Sequence, residues 1–68
     1  MEMKSVVSSN IASIGYDYGT LHIRFHSGGL YQYVNVPPLI YKNLMTASSH
    51  GKYYIANIKG KYGESKIG

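Results

Sequence analysis

From Asn10 onward the chain alternates between apolar and polar positions. Ala12, Ile14 and Tyr16 interleave with Ser13, Gly15 and Asp17, the period of two expected of a half-buried strand. Residues 20–26 alternate again, with Leu21, Ile23 and Phe25 on one face, and form the clearest strand in the sequence. Tyr18-Gly19 between these runs supplies a two-residue hairpin turn. Ser27-Gly28-Gly29 supplies a second turn, because glycine accepts positive φ. Residues 30–36 make a third strand that ends at Pro37-Pro38. Upstream, residues 1–9 read as a short lead-in whose Val6-Val7 can join a sheet edge.

These turns predict registers. With Tyr18-Gly19 as the loop, Asp17 faces Thr20, Tyr16 faces Leu21 and Ile14 faces Ile23. A loop at either Ser27-Gly28 or Gly28-Gly29 keeps Phe25 on the face of Leu30, Gln32 and Val34. One face is then expected to carry Ala12, Ile14, Tyr16, Leu21, Ile23, Phe25, Val34 and Val36. The other carries Ser13, Asp17, His22, Arg24, His26, Tyr31, Tyr33 and Asn35. A one-residue slip would exchange the faces.

After Pro37-Pro38 the period lengthens. Leu39, Ile40, Leu44 and Ala47, with Tyr41, give the apolar stripe of a helix that proline opens well. Phe25 is expected between the sheet and this helix. Ser48-Ser49-His50-Gly51 interrupts the pattern, and either serine suits the cap of a second helix over residues 52–58. Gly60 is placed to stop that helix, and residues 59–68 read as a glycine- and lysine-rich tail, mobile at its end. The expected fold is a single α+β domain over residues 1–68. Its core architecture is a three-stranded antiparallel β-meander with one face covered by one or two short C-terminal helices.

Composition sharpens this picture. A domain of 68 residues buries only about 60% of its unfolded surface, and its core alone rarely supplies more than roughly 3–5 kcal/mol. There is no cysteine, so disulfides cannot staple it, and three scattered histidines match no zinc-ligand spacing. Self-association into a homo-oligomer, most simply a symmetric dimer, is the remaining common device. No apolar run is long enough to span a membrane, and residues 1–5 lack a signal-peptide core, so a cytoplasmic location is expected. The net charge is +4. It sits in the second part of the chain, where Lys42, Lys52, Lys59, Lys61 and Lys66 face Glu64 alone. Such asymmetry points to an anionic partner or to a solvated lysine surface.

The ordered motifs resemble a known family. They are Phe25, then Gly28-Gly29, Tyr31-Gln32-Tyr33, Val36-Pro37 and Ala47. Ser49-His50-Gly51-Lys52-Tyr53 follows, then an ending at Ile58-Lys59-Gly60-Lys61-Tyr62. Over residues 8–62 this pattern is similar to the KTSC domain, a module found at the C-terminus of some lysyl-tRNA synthetases, here expected as a free-standing protein. The resemblance implies a fold more than an activity. It brings no catalytic residues, and its occurrence beside synthetases implies an RNA-related role.

The candidate chemistry is that of a binding protein. No paired acids, no nucleophile with its base and no metal set can be assembled, so no enzyme and no cofactor are expected. Tyr31 and Tyr33 share a strand face and offer rings for stacking on a base. His22 and Arg24, expected on that face, would add a hydrogen-bonding group and a cation for phosphate. Gly51 and Lys52 precede a helix start, where backbone N–H groups favour an anion, and Lys61 sits in a basic, aromatic tail. The expected ligand is a phosphate-bearing nucleotide or single-stranded RNA. Two alternatives remain. By analogy with small phage proteins, a homo-oligomer would sequester a nucleotide immune signal such as a cyclic nucleotide or an ADP-ribose derivative. In the other, the tyrosines pack structurally or contact another protein.

Overall fold

The structure, a computed structural model, describes residues 2–68. The elements are β1 (Lys4–Ser5), β2 (Ile11–Asp17), β3 (Thr20–Phe25), β4 (Leu30–Val34), α1 (Pro38–Thr46), α2 (His50–Asn57) and β5 (Gly63–Lys66). The strands form one antiparallel sheet in sequence order. The α+β class and the two helices are as expected, but the sheet has five strands rather than three. The extra strands lie at its edges. The segment expected to be a mobile tail returns to pair with β4, and beyond it the backbones of Ile67 and Gly68 bond Leu30. All four residues of β5 are exposed, so the strand shows no hydrophobic alternation to read.

The first hairpin has the expected register, with Asp17 opposite Thr20, Tyr16 opposite Leu21 and Ile14 opposite Ile23. Tyr18 (φ 49°) and Gly19 (φ 81°) both adopt the left-handed conformation that a tight two-residue turn requires. The second hairpin departs from expectation. Its loop has three residues, 26–28, closed by the Phe25 N–H donating to Gly29 O and the Gly28 N–H donating to Phe25 O, both at 2.9 Å. Gly28 holds φ at 106°, a value that disfavours any side chain there. The odd loop length changes the pairing parity: Leu21 now faces Tyr33, Ile23 faces Tyr31, and Arg24 faces Leu30. Tyr31 and Tyr33 therefore lie on the helix-covered face, while Leu30 and Val34 join His22 and Arg24 on the open face.

Two further irregularities complete the core. A bulge between Ile11 and Ser13 seats Ile11 in the interior, where alternation alone would have placed Ala12. Asn35, at φ 59°, reverses the chain so that Val36 is buried, whereas Val34 is left 37% exposed. The remaining buried residues include Ile14, Leu21, Ile23 and Tyr33 from the sheet, Leu44 from α1, Tyr54 from α2, and Ile58.

Helix α1 starts at Pro38, its first turn accepted by Pro37 O. Its buried stripe is narrower than predicted: Leu44 is enclosed, Ile40, Tyr41 and Met45 are partly covered, and Leu39 is 63% exposed. Tyr41 stacks on Tyr16 at 4.8 Å, and the Tyr16 hydroxyl donates to Val36 O at 2.6 Å. Helix α2 begins two residues before the expected start. Ser49 caps it, its Oγ accepting the Lys52 N–H at 3.3 Å, and His50 Nδ1 joins it to α1 through Leu44 O at 2.8 Å. Gly60, at φ 75°, lies in the turn beyond its end. Phe25, expected between the sheet and the first helix, is only partly buried and packs against the second. Its ring meets Tyr54 edge-on at 5.4 Å.

One polar contact ties the sheet to α2 inside the core: the hydroxyls of Tyr33 and Tyr54 lie 2.6 Å apart. Removing either leaves the other buried without a partner, which costs about 1–3 kcal/mol. Tyr33→Phe and Tyr54→Phe should each lower unfolding stability by that amount in urea titrations. The double variant should lose less than the two single losses combined, because neither hydroxyl is then orphaned. Strictly additive losses would show that the two hydroxyls do not interact.

Candidate functional site

The parity that turns Tyr31 and Tyr33 toward the helices also builds a cavity of about 510 Å³ beside α2. Phe25, Tyr31 and Tyr33 form its floor from β3 and β4, and Tyr54 and Ile55 form a wall from α2. Lys59, just past α2, and Glu64 on β5 bring charge to its rim. Ser9, Asn10, His26 and Ser27 complete it from two loops. The aromatic edges interlock: Phe25 meets Tyr31 at 5.6 Å, and Tyr33 meets Tyr54 at 5.8 Å. Edge-to-face contact of this kind fixes ring planes. Gly29 makes room for this floor, since a Cβ there would lie 2.8 Å from Tyr31 Cε1. The two glycines of the turn thus have separate tasks, Gly28 in the backbone bend and Gly29 beside the ring.

The loop side of the cavity is held by backbone contacts. His26 N–H donates to Asn10 O at 2.9 Å, and the Asn10 and Ile11 N–H groups donate to Ser8 Oγ. His26 Nε2 lies 2.9 Å from Ser8 O. A carbonyl only accepts, so Nε2 carries the proton and Nδ1 is the ring's other, accepting nitrogen when the imidazole is neutral. None of the side-chain hydrogen bonds among the described residues uses Lys59 or Glu64.

The structure separates the residues that the sequence reading grouped. Tyr31 and Tyr33 line the cavity. Arg24 and His22 lie on the opposite face of the sheet, where Arg24 Nη1 donates to Gly28 O at 3.4 Å. His22 stands between Gly15 and Gln32, its buried Nε2 without a hydrogen-bond partner. Gly51 and Lys52 are in the first turn of α2, and Lys61 is exposed in the turn that follows it. The expected surface of two tyrosines with Arg24 and His22 is therefore not assembled. Tyr54, Lys59, Glu64 and Asn10 take their place around the rings. The signal for this was the turn itself. Glycine at the third position of a three-residue loop marks a type I turn with a bulge, which inverts the parity of the next strand. Among the described residues no group of three or more His, Cys, Asp or Glu is placed to hold a metal ion.

Burial pushes the Tyr33 phenol far above its ordinary range. Its hydrogen bond to Tyr54 and the nearby Glu64 carboxylate act in the same direction. Burial raises Tyr54 as well; its contact with Tyr33 opposes the shift and Glu64 adds to it. Both hydroxyls are therefore neutral near pH 7. One donates to the other, leaving one O–H of the pair for another acceptor. The pH dependence follows. In the unfolded chain these phenols ionise near about pH 10, and in the fold they resist ionisation to higher pH. The stability they carry is present below about pH 10 and is lost as pH rises beyond it. Urea midpoints measured from pH 8 to 12 should fall above about pH 10. The fall should be shallower in the Tyr33→Phe, Tyr54→Phe double variant. An equal fall in parent and double variant would contradict this assignment.

Comparison with known proteins places this architecture. The model of the KTSC domain family matches residues 7–62. The crystal structure of a KTSC domain protein from Yersinia pestis superposes with a TM-score of 0.95 at 43% identity, covering 98% of this chain and 97% of that one. An uncharacterized protein of Stutzerimonas stutzeri is 38% identical over 56 residues, 79% of each chain. The lysine–tRNA ligase of Nostoc punctiforme is 44% identical over 43 residues, which are 63% of this chain and 8% of that enzyme. Among the described residues no helix is long and apolar enough to cross a membrane. By family match, sequence identity and shared fold, the chain belongs to the KTSC domain family.

Proposed function

We propose that this chain is a non-catalytic binding module that takes a phosphate-bearing nucleotide, its base entering the aromatic cavity beside α2. The convergence of Phe25, Tyr31, Tyr33 and Tyr54 on one cavity is the observation that carries this reading. At about 510 Å³ the cavity falls within the range of small-ligand sites. Aromatic rings bind a base through its π-face, worth about 1–3 kcal/mol per base. Lys59 at the rim supplies a cation for phosphate, and the Asn10 amide supplies further donors. Burial raises the Tyr33 and Tyr54 phenols, so near pH 7 these two serve as uncharged groups rather than as acids or bases. One relative is a lysine–tRNA ligase, a context consistent with a nucleotide or RNA ligand.

A single nucleotide and a polynucleotide make different demands. A cavity for one base gains little from chain length, whereas contacts along a phosphate backbone strengthen with length and weaken steeply with salt. Titration with the four ribonucleoside monophosphates, a cyclic dinucleotide, ADP-ribose and short single-stranded RNA at low salt separates these cases. At least one mononucleotide should bind, with RNA no tighter than one nucleotide implies. Lys59→Ala should weaken binding about tenfold. Tyr31→Ala should remove about 1–3 kcal/mol of stacking. Arg24→Ala and Lys52→Ala should leave binding unchanged. Loss of binding on Arg24→Ala but not on Lys59→Ala would move the ligand to the open sheet face. No binding of any of these ligands would overturn the proposal in favour of a protein-interaction module.

A further inference from the structure

We propose that the cavity prefers guanine among the bases, with the Glu64 carboxylate receiving the N1–H and 2-amino donors of its Watson–Crick edge. The inference rests on the nucleotide reading of the cavity and adds a selectivity to it. Glu64 lies opposite Tyr33 in the β4–β5 ladder, so its side chain is on the ring-bearing face, and it lines the cavity. It is the one carboxylate there. None of the side-chain hydrogen bonds among the described residues involves it. Its charge is felt by the Tyr33 and Tyr54 phenols, which supports its closeness to them.

A carboxylate at such a site discriminates by chemistry. When ionised it only accepts, through two oxygens side by side. Guanine is the common base whose Watson–Crick edge presents two adjacent donors. Adenine and cytosine present one amino group beside a ring nitrogen whose lone pair repels the second oxygen. Uracil presents one N–H between two carbonyls. Guanine also has size in its favour. Its double ring covers more of the aromatic floor than a pyrimidine. Lys59 is available to the phosphate and balances the charge that Glu64 brings. A negative group at the entrance would otherwise oppose an anionic ligand, so its presence among the rings calls for a donor-rich base.

Isothermal titration of the parent with GMP, IMP and AMP tests this, with Glu64→Gln as the variant. Glu64 is exposed on an edge strand, so the substitution leaves the core intact. GMP should bind about tenfold more tightly than AMP. IMP, which keeps N1–H but lacks the 2-amino group, should fall between them. Glu64→Gln should bring GMP close to AMP while AMP binding stays within about twofold of the parent. Equal binding of GMP and AMP, weakened alike by Lys59→Ala, would overturn the guanine preference and leave the nucleotide site standing. Preference for GMP that survives Glu64→Gln would remove Glu64 from the role. If none of the nucleotides binds, the site itself fails and the inference with it.

Discussion

The structure depends on the length of one turn. Three residues join β3 to β4, and Gly28 makes the bend by adopting φ 106°. With an even loop, the tyrosines of β4 would lie beside Arg24 and His22 on the open face. With three residues they point toward α2. The cost of the alternative is concrete: Leu30, Gln32 and Val34 would then face the helices, putting the polar Gln32 among the apolar residues where the two rings now pack. The Tyr33–Tyr54 contact at 2.6 Å follows from this parity. So does the aromatic lining of the cavity, since Tyr31 and Tyr33 reach it only with this parity.

The tyrosines serve stability first, and the proposed binding uses the same rings. A chain of 68 residues has little apolar surface to bury, and rings with polar tips extend the core to the edge of the cavity without leaving orphaned groups. Tyr16 does this through Val36 O, and Tyr33 and Tyr54 do it through each other. The sheet edges are restrained in a different way. β1 has two residues, and β5 is short and carries Glu64 and Lys66, so neither presents a long apolar edge to another chain. The same edge strand that closes the sheet brings Glu64 to the rim.

Much of the fold was legible in the chain. Alternation located β2, β3 and β4, Tyr18-Gly19 set the first register, Pro37-Pro38 marked the start of α1, and a serine cap marked α2. Three things were not legible, each for a physical reason. β5 is exposed along its whole length and carries no hydrophobic period. Ile11 reaches the core through a bulge, which breaks the period that placed Ala12 there. The second turn was read as two residues, at Ser27-Gly28 or Gly28-Gly29, whereas the loop also takes in His26, and a difference of one residue reverses every side chain beyond it. That last ambiguity also governed the candidate site. Tyr31 and Tyr33 were identifiable as rings available to a ligand. Their neighbours were not, because Lys59, Glu64 and Tyr54 come from other elements and meet them only after the parity is known.

The proposal that a nucleotide sits in the cavity is tested most directly by magnetization transfer between nucleotide and protein side chains. In an NMR sample saturated with GMP, the base and ribose protons should show nuclear Overhauser contacts to the rings of Phe25, Tyr31 and Tyr54. They should show none to the His22 ring or to the methyl groups of Leu30 and Val34. Contacts to His22, Leu30 and Val34 without contacts to the three rings would place the ligand on the open face and contradict the cavity as the binding site.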